Sequence, residues 1–275
     1  MRLFVGIFFA ALNLASGFDI VVSGNSAIEV QLIAGKLAAR EGDRCSIIGP
    51  ADRGFVGNCQ RLLYGRGSDP AEFGGPAFVS TGEEIGEALE TAQGLIIVCE
   101  DAPFADTSIN TMIENAPELQ HIAVMTQMGG GLKQMEEKLR ATCSSAGLAL
   151  SIVRAGILKG GGCGREGNEF GLNKHYYDTL YELQGAMNTM SFDKFTLGAA
   201  VTQGDPFKFP NFFQKLKSAQ SFQPADTDTG RIAAATALLR AVKRSTGVDI
   251  SVSSAKGEEP PTAEEWESLL GGAEA

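Results

Sequence analysis

Phe18-Asp19-Ile20-Val21-Val22-Ser23-Gly24-Asn25-Ser26-Ala27-Ile28-Glu29-Val30 opens the stretch whose pattern decides the architecture of this chain. Ile20, Val21 and Val22 form a short apolar run, suited to a parallel strand buried on both faces. Ser23 to Ser26 is turn chemistry. From Ala27 to Arg40, apolar Val30, Ile33 and Leu37 fall at i, i+3 and i+7, the spacing of one helix face. Gly42 and Asp43 end that helix, and Cys45-Ser46-Ile47-Ile48 reads as a second strand. Strand, tight turn, helix and strand within about thirty residues make the βαβ unit of a dinucleotide-binding fold.

The N–H groups that open such a helix have no intrahelical partner, and the helix dipole adds roughly half a positive charge there. A pyrophosphate fits if the backbone can approach it closely, which is why glycine is usual in the turn. Gly24, Asn25, Ser26, Ala27 and Ile28 are therefore the candidate cofactor-binding residues. Ala27 and Val30 occupy the next two glycine positions. A βαβ unit that binds no nucleotide is the alternative reading.

The chain has 275 residues, 44% of them hydrophobic, enough for one α/β domain with a full core. Its net charge of −10 argues against nucleic acid or an anionic membrane surface as partner. A dinucleotide is also anionic, but local N–H groups can hold it against the global charge. His121 and His175 are far apart and make no metal-ligand spacing with cysteine. The five cysteines are widely spaced, odd in number and without a CxxC pair. Cys45 and Cys99 fall in expected core strands, where a small apolar role suits them. Cys99 also closes a strand at the edge where ligands bind, and so counts among the candidate cofactor contacts.

At the N-terminus Arg2 precedes an apolar run from Leu3 to Leu14, and Ala15-Ser16-Gly17 supplies small residues for cleavage. Residues 1–17 read as a signal peptide, too short for a membrane span. Ala15-Ser16-Gly17-Phe18 resembles the Ala-Ser-Ala-Phe cleavage motif of plastid presequences in diatoms and related algae. That resemblance implies delivery to the plastid through the ER route, with secretion or the ER lumen as alternatives. Unpaired core cysteines favour the plastid over secretion.

Further along, Gly49 to Gly54 reads as a loop, and residues 65–76 as a surface loop. Asp52 and Arg53 lie near the place where an acid favours NAD and a base favours a 2′-phosphate. Ala77 to Val79, Gly94 to Cys99, His121 to Thr126, Leu148 to Arg154 and Val248 to Val252 read as strands. Helical spacing covers Glu83 to Ala92, Thr107 to Asn115, Leu132 to Ala146 and Thr229 to Arg244. This alternation predicts an α/β, doubly wound, mostly parallel Rossmann-like sheet. Lys159 to Arg165 is glycine-rich and reads as a flexible loop; no GK[ST] follows, so it is not a phosphate loop. Asn168 to Phe222 is rich in Phe and Tyr without a regular period, and reads as a lid or pocket wall inserted over 158–225, or as a satellite core. Trp266, Leu269 and Leu270 read as a docking turn. Residues 18–275 are thus expected to form a single NAD(P)-binding Rossmann-like domain.

Taken in order, these residues resemble the NmrA-like, atypical short-chain dehydrogenase/reductase family. Ser23 to Val30 is similar to its Thr-Gly-Ala-Thr-Gly-x-x-Gly turn. Thr126 falls where its fifth strand ends in Ser, and Lys133 to Leu148 resembles its Lys-x-x-x-Glu…Gly-Leu helix. Val153-Arg154-Ala155-Gly156 resembles Val-Arg-Pro-Gly, and Thr229 to Ala233 resembles a late helix start. Pro261 to Trp266 resembles its C-terminal turn. The resemblance spans about residues 19–270, interrupted over 158–225, and rests on the order of the motifs. It implies NADP or NAD as cofactor, a small carbonyl substrate, Thr126 and Lys133 as catalytic positions, and Thr126 as a cofactor contact as well.

The chain departs from that pattern at Ala27 and Val30, and at Phe78, where the family often has Asp near the adenine. It also departs at the catalytic pair. In Tyr-x-x-x-Lys the phenol gives or takes the proton and Lys lowers its pKa. With Lys133 as the lysine, Gly129 stands at the tyrosine position; with Lys138, Gln134 does. Tyr176 or Tyr177 from the aromatic segment is the candidate substitute acid, Tyr177 being the one taken as catalytic. Two functions follow as expectations: an oxidoreductase on a small carbonyl with a degenerate site, or a non-catalytic nucleotide-sensing regulator or assembly factor in the plastid. A fold that has lost nucleotide binding is the third.

Overall fold

A computed structural model of the chain describes residues 17–67, 74–164, 170–180, 183–208 and 225–272. The leader, apart from Gly17, lies outside the described residues, as do 165–169, 181–182 and 209–224 of the aromatic stretch.

The opening βαβ unit forms as its pattern predicts. β1 (Asp19–Gly24) leads into α1 (Ile28–Arg40) and β2 (Arg44–Ile48). α2 (Arg53–Tyr64), β3 (Ala77–Val79), α3 (Gly82–Glu90), β4 (Gly94–Val98), α4 (Asp106–Glu114), β5 (His121–Gln127), α5 (Lys133–Ala146) and β6 (Ala149–Ala155) continue the alternation. Then come β7 (Ile157–Lys159), α6 (His175–Asp178), α7 (Leu183–Phe195), β8 (Gly198–Gln203), β9 (Asp228–Gly230), α8 (Arg231–Val242), β10 (Asp249–Ala255) and α9 (Ala263–Gly271).

Eight strands form one sheet in the order β3-β2-β1-β4-β5-β6-β10-β8, parallel except where β8 runs against β10. β7 and β9 make a separate parallel pair. Each central strand is buried on both faces, so its residues alternate between two cores. Ile20, Val22, Ile96, Val98 and Met125 face α1, α2, α8 and α9. Val21, Leu95, Ile97, Ile122 and Val124 face α3, α4 and α5. Burying each such side chain contributes roughly 1.5–3 kcal/mol.

Four sequence readings need correction. The segment read as a loop before residue 55 passes into α2: Asp52 accepts from Gly54 N–H at 2.8 Å and caps the helix, which buries Cys59 and Leu63. The late helix begins at Arg231, because Thr229 belongs to β9 and donates its hydroxyl to Val252 O at 2.6 Å. The docking turn is the full helix α9, started by a Thr262–Glu265 capping box, with Trp266 wholly buried. The glycine run 160–162 is buried rather than flexible. Among the described residues, no helix is long and apolar enough to cross a membrane, and no group of three His, Cys, Asp or Glu is placed to hold a metal.

Candidate functional site

Strand order reverses between β1 and β4, and the crevice at their carboxyl ends is where open α/β sheets bind ligands. The β1–α1 turn stands in that crevice. Gly24 admits no side chain: a Cβ would meet Val98 O and Gln31 Nε2 within 2.6 Å. Gln31 in turn donates to Ser26 O at 2.9 Å and holds the turn from beneath. Ala27, at the second glycine position, keeps the left-handed conformation that glycine would supply (φ 45°, ψ 54°), the one positive-φ non-glycine residue described. It offers no capping side chain; Val30 N–H bonds back to Ala27 O at 2.9 Å, which leaves the N–H groups of Ile28 and Glu29 as the ones the helix start can offer a ligand. Val30 is wholly buried in the core, so the third glycine position has become a packing position.

A cavity of about 250 Å³ lies beside this turn, with Gly24 to Ile28 on one wall and Ile48, Gly49, Pro50 and Phe55 on the other. The polar side chains of the turn serve the loop after β4. Asn25 Nδ2 donates to Ala102 O at 2.9 Å and Pro103 O at 3.0 Å. Ser26 Oγ accepts from Glu100 N–H at 2.7 Å and donates to Asn25 Oδ1 at 3.2 Å. Backbone N–H groups, not these side chains, are what the turn offers a phosphate.

Arg53 is exposed at the first position of α2, outside that cavity. Cys99 is wholly buried in the core under α3–α5, and burial pushes its thiol up to about 12. It is a neutral core group there, away from the turn cavity.

The expected catalytic residues fall in two places. Thr126 is wholly buried at the end of β5 and donates to Glu136 Oε1 at 2.6 Å. Glu136 also accepts from Arg154 Nε at 3.0 Å and Nη2 at 2.6 Å, and Arg154 reaches Asp249, which Arg140 also holds. Burial works against the Arg154 charge, but its bonds to Glu136 and Asp249 outweigh that and hold it firmly protonated. Lys133, exposed at the start of α5, lines a cavity of about 740 Å³ together with Glu136, Arg154 and Asp205. Thr126 and Lys133 thus meet one charged cluster, which the sequence reading missed; Glu136 one turn beyond Lys133 is its only local sign.

Tyr177 belongs to another cluster. Its hydroxyl donates to Asp193 Oδ2 at 2.9 Å and accepts from Gly164 N–H at 2.8 Å. Burial and the nearby Asp193 carboxylate raise the phenol above its ordinary range. Asp193, wholly buried on α7, also accepts from Gly161 N–H at 2.6 Å and Gly162 N–H at 2.9 Å. Burial lifts its carboxyl to about 7 against those bonds. The glycine run is thus a nest filled by the chain's own carboxylate. Nearby, β7, Gly160, Tyr176, α7 and Arg231 enclose a cavity of about 270 Å³.

No family model and no curated protein matches the sequence. Solved structures do. Yeast methylglyoxal/isovaleraldehyde reductase Gre2 complexed with NADPH aligns at 11% identity over 85% of this chain and 75% of that one, with a TM-score of 0.50. Gre2 of Candida albicans in complex with NADPH aligns at 8% over 86% and 79%, with a TM-score of 0.49. UDP-N-acetylglucosamine 4-epimerase from Bacillus cereus aligns at 8% over 91% and 82%, with a TM-score of 0.46. At such identities the likeness is one of fold: this chain shares the Rossmann-like α/β fold of the yeast reductase Gre2.

Proposed function

We propose that the chain binds a nicotinamide dinucleotide across the carboxyl edge of its sheet and responds to it as a sensor, rather than passing hydride with a phenolic proton donor. The observation that carries this reading is the uncapped first turn of α1, held open beside a cavity at the strand-order switch. The separate engagement of Thr126 with Glu136 and of Tyr177 with Asp193 supports the non-catalytic half.

Melting of the protein from Phe18 onward, with NADPH, NADP⁺, NADH or NAD⁺, tests the reading. A ligand at a hundredfold excess over its Kd stabilises the native state by about 2.7 kcal/mol. No shift with any of the four at millimolar ligand sinks it. A shift that survives Gly24→Val moves the site away from the turn.

An oxidoreductase on a small carbonyl is the second reading. It is favoured by Lys133 and Glu136 lining one cavity, where an ammonium and a carboxylate stand without a phenol. Sustained NADPH oxidation with a carbonyl panel, abolished by Lys133→Met, would establish it. Residues 1–17 and the Ala15 to Phe18 motif support delivery to the plastid. A fluorescent fusion of the leader that stays in the ER or is secreted overturns that assignment.

A further inference from the structure

The cavity of about 270 Å³ between β7, α6 and α7 shares no lining residue with the cavity at the β1–α1 turn. Its body is apolar, built from Ile157, Leu180, Phe192 and the ring of Tyr176. Among the described residues its only charged lining residues are cations, Lys159 and Arg231. The acids near them do not reach the wall. Asp228 is wholly buried and pairs with Lys159 at 3.0 Å; Glu29 stands 3.9 Å from Arg231 Nε; Asp193 is turned into its glycine nest.

Arg231 is the less satisfied of the two cations. Its side chain is 19% exposed, and its Nη1 donates to Gly160 O at 3.0 Å. Among the described residues its Nε is buried without an acceptor. It also sits at the first position of α8, whose N-terminus has no side-chain cap and adds partial positive charge. A guanidinium forks onto carboxylate oxygens in two parallel bonds. The volume limits the ligand to a small molecule.

We propose that this cavity binds a small organic monoacid, its carboxylate on Arg231 and its apolar body against Phe192, Tyr176 and Leu180. The site goes beyond the dinucleotide reading and does not depend on it. Lys159, paired to Asp228, supports the anion through its charge. The chemistry selects an acid with a short aliphatic or aromatic body. It selects against the alcohol or amine of the same shape.

Calorimetric titration of the protein with benzoate, hexanoate, hexanol and hexylamine tests this. The acids are expected to bind, with hexanol at least about tenfold weaker, the range of one lost charged hydrogen-bond pair. Arg231→Gln should weaken hexanoate by a similar factor and leave hexanol unchanged. Thr189→Trp, which fills the cavity from α7 and keeps both cations in the chain, should abolish both. Equal binding of hexanol and hexanoate, unchanged hexanoate affinity in Arg231→Gln, or no acid binding at about 10 mM overturns the proposal. If Arg231→Gln fails to fold, retained hexanoate binding in Thr189→Trp overturns it alone. NADPH-dependent melting read on the same samples keeps the outcomes apart: acid binding without a nucleotide shift removes the sensor reading and leaves this site standing.

Discussion

Thr126 donates its hydroxyl to Glu136 Oε1 at 2.6 Å, both residues being buried. Glu136 lines the cavity of about 740 Å³ and Thr126 does not, so the hydroxyl is engaged by Glu136 and not presented on that wall. Thr126→Val removes one charge-assisted bond and leaves Glu136 held by Arg154, so it is expected to lower stability by about 1–2 kcal/mol. Glu136→Ala leaves the Arg154 guanidinium buried with only Asp249, and is expected to lower it by about 3 kcal/mol or more. Urea denaturation reads both. A Thr126→Val protein with an unchanged urea midpoint but lost nucleotide stabilisation would return the hydroxyl to a ligand role.

Ala27 holds a backbone conformation that disfavours a Cβ by about 1–2 kcal/mol. Glycine relieves this but loses about 0.5–1 kcal/mol through the greater freedom of the unfolded chain. Ala27→Gly is therefore expected to raise stability by about 0.5 kcal/mol, a gain of roughly 1–2 °C in Tm by calorimetry. Ala27→Val should lower it. A clear loss in Ala27→Gly would mean that the methyl group's packing outweighs the strain.

The fold was legible where burial on both faces wrote continuous apolar runs, as in Leu95 to Val98 and Ile122 to Met125. It was less so where a helix hides its face among polar residues. α2 packs Phe55, Cys59 and Leu63 at four-residue spacing, but Gly54, Gly57 and Asn58 interrupt them; Asp52 as a cap was the overlooked signal. β8 was missed because Gly198-Ala199-Ala200 has little strand character, and pairing with β10 decides it. At the site, the turn and Lys133 follow from local pattern. Glu136 with Arg154, and Asp193 in the glycine nest, are contacts across 18 and about thirty residues, which no local spacing announces.

His121 ties β5 to its neighbours from inside the sheet. Nδ1 lies 2.8 Å from Arg244 O, which can only accept, so Nδ1 carries the proton and Nε2 accepts from Ser151 Oγ at 2.8 Å. Burial, aided by the charge of Arg244, holds the imidazole below its ordinary pKa. The unfolded chain therefore binds a proton first as pH falls. The contribution is complete above the unfolded value of about 6.5 and is lost as pH drops through the depressed native value, at up to about 1.4 kcal/mol per pH unit. Asp193, lifted by burial to about 7, works in the opposite sense over this range, so the wild-type urea midpoint is expected to fall relative to that of His121→Asn between about pH 7.5 and 5. A parallel slope in the variant would assign the acid sensitivity elsewhere.

Phe18 marks where the expected leader would be cut, and its backbone N–H already donates to Asp43 Oδ1 at 3.1 Å. The Asp43 side chain is 7% exposed and pairs through Oδ2 with Lys243. Cleavage before Phe18 turns that amide into an ammonium beside a buried carboxylate, and a charged donor contributes more than a neutral one. A chain beginning at Phe18 is thus expected to be about 1 kcal/mol more stable than the same chain acetylated at Phe18. The difference should vanish in Asp43→Asn, and at about pH 10, where an α-amine ordinarily loses its charge. Equal melting of the free and acetylated forms at neutral pH would show that Asp43 serves Lys243 alone and gives no structural support to processing at this position.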